Sequence, residues 1–154
     1  MTLRPLRPHD RDIELAFVSG LSPQTRSNRL LGGAKAVTRE YIESLVTVDY
    51  SRDMAIAATT MLGGETLIGV ARYVLEKNDQ SGEFAIVVAD AWQGRGIGRR
   101  LLAKLVDVAR RRGLRTLYGE ILATNLPMRE LVRKLGFTLG PSDDATLTRA
   151  TLRL

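Results

Sequence analysis

The chain has no cysteine, a single histidine and only 5% aromatic residues. Without cysteine there can be no disulfide, no thiolate metal site and no covalent cysteine intermediate. The one histidine, His9, stands beside Pro8 near the N-terminus, where a surface-loop position is expected rather than a place in a metal or acid–base cluster. Scarce aromatics leave little to stack on nucleic-acid bases. A long apolar run is also missing, and the opening Met1-Thr2-Leu3-Arg4-Pro5 has no signal-like character, so a cytoplasmic protein free of the membrane is expected.

What is present is 154 residues with 44% hydrophobic content, enough for one domain spanning residues 1–154. The net charge is +6 and the isoelectric point is near 10.2. Most basic residues are dispersed. The run Arg110-Arg111-Arg112 falls at the end of an expected helix, just before Gly113, where it complements the helix dipole and is expected to form a solvated face. No nucleic-acid partner is expected.

The order of elements can be read from periodicity and breakers. Leu3–Arg7 reads as a strand, and 10–19 and 23–31 as helices capped by Asp10 and Ser22. A third helix is expected from Thr38 or Arg39 to Val48. Strands at 54–60 and 67–75 are joined through Gly63-Gly64, and a third runs from Glu83 to Val88. Ile97, Leu101, Leu102, Leu105, Val106 and Ala109 lie on one helical stripe that ends at Gly113. A strand at 116–122, a helix at 127–135 and a closing hairpin at 137–139 and 146–154 complete an α+β domain.

The segment from Phe84 to Leu102 carries the most chemistry. An apolar strand leads through Asp90-Ala91-Trp92 into Gln93-Gly94-Arg95-Gly96-Ile97-Gly98, and a helix begins on the glycines. Such a loop sets several backbone N–H groups around one anion, and the helix adds its unpaired first-turn donors and positive dipole end. A phosphate or pyrophosphate ligand is therefore expected. A P-loop would need Lys-Ser or Lys-Thr after the last glycine, where Arg99-Arg100 stands. A dinucleotide fingerprint from Gly94 would need glycine at position 99.

The pattern that fits is Q/R-x-x-G-x-G/A, and in it the chain resembles the GNAT superfamily of acyl-CoA-dependent N-acetyltransferases. Asn125-Leu126-Pro127-Met128-Arg129-Glu130-Leu131-Val132-Arg133-Lys134-Leu135-Gly136-Phe137 is similar to the segment that closes that superfamily's core. Leu21 to Arg26, Val48 to Ala55 and Gly82 to Ala85 resemble a narrower group, the catalytic domains of bacterial protein-lysine acetyltransferases acting on acyl-CoA synthetases. The resemblance implies a mostly antiparallel mixed sheet with one splayed parallel pair that takes acyl-CoA in its gap. It implies acetyl-CoA as cosubstrate, no metal, and a monomer or homodimer. Such relatives often carry a regulatory domain, and none is expected within these 154 residues.

The resemblance also implies roles. Ile86, Val87 and Val88 would offer backbone groups to the pantetheine arm. Gln93, Gly94, Arg95, Gly96, Ile97, Gly98, Arg99 and Arg100 would surround the pyrophosphate, with Gln93 and Arg95 closing over it and Arg100 and Lys104 near the 3′-phosphate. Asn125 would meet the pantetheine, or serve as a plain helix cap. Glu83 matches the general base of the lysine-acetyltransferase group, against the alternative of an ordinary strand-edge glutamate, and Glu120 is the competing base. Many superfamily members have a tyrosine acid where this chain has Val132, which cannot donate a proton. Asp49 and Asp53 would either attract a basic acceptor or cap a turn. A protein lysine is the expected acceptor, with a small amine or a non-catalytic acyl-CoA sensor as the other readings.

Overall fold

The computed structural model describes residues 1–154. Its strands are β1 (Thr2–Pro5), β2 (Met54–Met61), β3 (Glu65–Leu75), β4 (Ser81–Val88), β5 (Thr116–Leu122), β6 (Thr138–Pro141) and β7 (Leu147–Arg153). They form one open sheet in the order β1-β2-β3-β4-β5-β7-β6. The helices are α1 (Arg11–Gly20), α2 (Pro23–Arg29), α3 (Arg39–Val46), α4 (Ile97–Arg111) and α5 (Leu126–Lys134). Every neighbouring pair of strands is antiparallel except β4 and β5, whose crossover is α4.

Alternation along the strands divides the core in two. Ala55, Ala57 and Val70 face Phe17, Val18, Ile42 and Val46 of α1 and α3. Ile56, Ala58, Tyr73, Phe84 and Ile86 face the apolar stripe of α4, including Leu101, Leu102 and Leu105. That stripe is the one the sequence periodicity gives. No helix is long and apolar enough to cross a membrane.

Several local expectations need correction. Asp10 does not cap α1. Its carboxylate takes two 2.8 Å bonds from the Arg4 guanidinium and one from the Arg7 N–H, fastening β1 to the following turn. Ser22 does cap α2, accepting from the Thr25 N–H at 3.2 Å. The third helix stops at Val46, and β4 begins at Ser81, which places Glu83 inside the strand. Arg112 is no simple solvated cation: it donates to the carbonyls of Asp53 (3.0 Å) and Tyr50 (2.7 Å), tying the end of α4 to the start of β2.

The parallel pair frames the candidate site. β4 and β5 share only three register partners, Ser81–Thr116, Gly82–Leu117 and Glu83–Tyr118. One step further, the Phe84 ring occupies the space above Gly119, where a Cβ would lie 2.6 Å from it. Phe137 meets that ring edge-on at 5.3 Å and 64°. This wedge stands where pairing ends, so the rest of β4 presents an edge that β5 does not cover.

Candidate active site

Pairing with β3 decides which parts of that edge are open. Ala89 donates to the Ile68 carbonyl at 2.8 Å, so in the alternating pattern Val87 and Ala85 also spend their backbone groups on β3. Ile86 and Val88 face the gap. Of the three residues expected to meet a pantetheine arm, Val87 is therefore turned the wrong way: its carbonyl lies 3.3 Å from where a Cβ on Gly69 would sit.

The gap leads to the glycine loop. Gly94 and Gly96 have φ of +76° and +81°, which favours glycine, and a Cβ at either would meet nothing within 4 Å. Gly96 stands at the N-cap of α4 with no side chain closing the helix end. None of the backbone N–H groups of residues 94–99 donates to another part of the chain. Six consecutive free donors at the positive end of a fifteen-residue helix fit a pyrophosphate. Arg99 and Arg100 are exposed on the first turn, whereas the Ile97 side chain is buried and leaves only its N–H toward the loop.

The side chains around the loop have other partners. Gln93 donates its amide to the Val88 carbonyl (2.9 Å) and to Thr25 Oγ1 (3.2 Å), so it closes over the strand end rather than the loop. Arg95 lies over the Trp92 ring at 4.9 Å. Asn125 caps α5, accepting from the Met128 N–H at 3.3 Å, and its side-chain N–H groups stay free.

The candidate bases share one face of the sheet. Glu83 and Tyr118 are register partners, Glu120 follows two residues on, and Arg149 stands opposite Glu120. Glu120 is held by Arg149 through bonds of 2.6 and 2.7 Å, and its Oε2 is buried without a partner. Tyr118 donates its hydroxyl to Glu76 and lies beneath the Arg149 guanidinium. Burial and that bond hold the Tyr118 hydroxyl above its ordinary range. Glu83 alone of the three glutamates makes no hydrogen bond or ion pair. Partial burial, then the charges of Glu76 and Glu120, raise its pKa above that of a free glutamate, while Arg149 opposes them. That direction suits a base working near neutral pH.

Beside this cluster an open depression of ≈ 540 Å³ is lined by Glu76, Tyr118, Arg149 and neighbouring polar residues. Asp49 and Asp53 take no part in it. Asp49 accepts from the N–H and hydroxyl of Ser51, organising a turn, and Asp53 accepts from the Leu75 N–H, tying the residue before β2 to the end of β3. Sequence reading missed Glu76, Tyr118 and Arg149. The one usable signal was the alternation that places Tyr118 and Glu120 on a common face.

Residues 33–137 match the model of the Acetyltransferase (GNAT) family. The chain is 38% identical over 153 residues to Acetyltransferase PA5475 of Pseudomonas aeruginosa, covering 99% of this chain and 82% of that protein. It is 33% identical over 135 residues to Acetyltransferase Pat of Mycolicibacterium smegmatis, covering 87% of this chain and 40% of Pat, and so spans less than half of that relative. Its fold superposes on the GNAT domain of S. lividans PAT with a TM-score of 0.89 at 25% identity, covering 99% and 89% of the two chains. The free amides at the head of α4, the forked β4–β5 pair and these likenesses agree: the chain belongs to the GNAT family of acetyltransferases, whose acetyl donor is acetyl-CoA.

Proposed function

We propose that this protein moves the acetyl group of acetyl-CoA onto the side-chain amine of a protein lysine, by direct transfer in a ternary complex. The observation that carries this reading is Glu83, an unpaired carboxylate at the fork of β4 and β5. The sequence resemblance to protein-lysine acetyltransferases supports the acceptor, as does the open depression lined by Glu76, Arg149 and Tyr118, the register partner of Glu83.

The roles of the chain's residues follow from the chemistry. When bound, acetyl-CoA supplies an activated acetyl thioester. The N–H groups of residues 94–99 hold its pyrophosphate, and Ile86 and Val88 align the pantetheine arm as an added strand. A lysine with a pKa of about 10.4 is neutral in only about one molecule in a few thousand at pH 7, a handicap of roughly 4–5 kcal/mol. Glu83, directly or through one water, takes one ammonium proton to free the lone pair of the lysine nitrogen, which then bonds to the acetyl carbon; the adduct gives its second N–H proton to solvent as the carbon–sulfur bond breaks. Val132 is fully buried and cannot protonate the departing sulfur, so CoA leaves as a thiolate or takes its proton from water.

Thiol release from acetyl-CoA, measured with protein acceptors and with polyamines or amino acids, tests the reading. Mass spectrometry of lysates treated with the protein and acetyl-CoA should then show new acetyl-lysine. Turnover on small amines alone would replace the protein acceptor, and CoA binding without turnover would leave a sensor.

A further inference from the structure

Between α1, α2, α3 and the face of β3 and β4 lies a cavity of ≈ 40 Å³ that the mechanism above does not use. On the same measure this is room for about three water molecules. Phe17, Val70 and Val87 give it apolar walls, yet Arg26, Arg29, Lys35 and Arg72 also line it, against the single carboxylate of Glu14. None of these five charged groups belongs to an ion pair. Arg26 and Arg72 each give one bond to a backbone carbonyl, of Ser19 (3.0 Å) and Leu45 (3.1 Å). Glu14 is 2% exposed with its Oε2 unpartnered, and Arg26 Nε is likewise buried and unpartnered. Buried polar atoms are ordinarily satisfied, so two unsatisfied atoms of opposite charge around one cavity point to something that enters it.

We propose that this cavity binds a small organic carboxylate, its short aliphatic part against Val70 and Val87 and its carboxylate on the guanidinium groups of Arg26 and Arg72. Four cations against one carboxylate disfavour a cationic ligand. The planar guanidinium matches a carboxylate through paired N–H bonds. A phosphate carries more charge into a wall this apolar than a carboxylate does. Burial raises the pKa of Glu14, the one acidic group among the lining residues, while Arg72 and Arg29 oppose that rise.

Because Val87 belongs to β4, the carboxylate has two sources. It arrives as a free short-chain acid, or as the far end of an acyl chain longer than acetyl on CoA, and this second source rests on the reading that β4 and the glycine loop hold acyl-CoA. Calorimetric titration of the intact protein with propionate tests the first source. Steady-state transfer from succinyl-CoA, compared with acetyl-CoA, tests the second. A free ligand predicts saturable propionate binding, weakened at least tenfold by Arg72→Gln. An acyl terminus predicts no propionate binding and a KM for succinyl-CoA raised at least tenfold by Arg72→Gln, with that for acetyl-CoA unchanged. Arg29→Gln removes a guanidinium that makes no hydrogen bond to the chain, so it carries the same comparison, with an expected loss of about threefold, should Arg72→Gln fail to fold. If neither compound responds to either substitution, the carboxylate site is refuted. Failure of the acetyltransferase reading shows separately, as no thiol release from acetyl-CoA, and leaves the propionate titration standing.

Discussion

Glu83 and Tyr118 are the last register partners of the parallel pair, and the strands part immediately beyond them. The Tyr118 hydroxyl is turned to Glu76, which brings a second negative charge near Glu83 while Glu83 itself stays unpaired. If Glu83 is the proposed base, these charges tune it, and the sign of the effect can be tested. Removing the Glu76 charge removes one of the influences that raise the Glu83 pKa. In Glu76→Gln the acidic limb of the kcat/KM profile should move to lower pH, and in Arg149→Gln to higher pH. Limbs that do not move would separate Glu83 from the observed ionisation.

The glycine loop can be tested for space and for charge independently. Gly96→Ala adds a methyl into open space but at a φ of +81°, so a stability loss of about 1 kcal/mol is expected with CoA binding largely kept. Gly96→Glu adds a negative side chain at the proposed pyrophosphate site and should abolish CoA binding in a folded protein. Calorimetry on both variants, with thermal melts as the folding control, separates the two effects.

Asp90 links the loop to the helix across from it. Its carboxylate accepts from the Ser22 N–H (2.9 Å) and hydroxyl (2.7 Å) and from the Thr25 hydroxyl (2.7 Å), all at the start of α2. Asp90→Ala should release α2, costing about 1–3 kcal/mol and speeding amide hydrogen exchange at residues 23–29 far more than in α4. Uniform exchange across both helices would contradict the linkage.

The wedge at the fork is the tightest contact between strand and ring. Gly119→Ala places a Cβ against Phe84 and should destabilise the fold by about 1–3 kcal/mol, with the companion Phe84→Leu recovering part of the loss. Chemical denaturation of the single and double variants measures the coupling.

Much of this was legible in local sequence. The loop, the α4 stripe and the Ser22 and Asn125 caps are encoded within a few residues of one another, and short-range sterics and periodicity suffice to place them. The acid–base surroundings were not. Glu76 comes from the turn after β3, Tyr118 from β5 and Arg149 from β7, and only the sheet order brings them beside Glu83. Arg112 was misjudged for the same reason, because the carbonyls it meets lie some sixty positions earlier, at Tyr50 and Asp53. Gln93 fits its loop motif, yet its amide is engaged by Thr25 and Val88, a tertiary choice that a motif does not carry. Val87 faces β3 because of strand parity, which depends on the register with β3.

The role of Glu83 is the centre of the account, and the pH dependence of Glu83→Gln tests it most directly. The substitution keeps shape and removes basicity, so CoA affinity should persist while turnover on a lysine acceptor at pH 7 falls by about 10²–10⁴. The deficit should shrink as pH rises toward the amine's own pKa, where the acceptor loses its proton unaided. Near-normal turnover at pH 7, or a deficit that stays constant with pH, would contradict the assignment and pass the proton to Glu120 or to solvent.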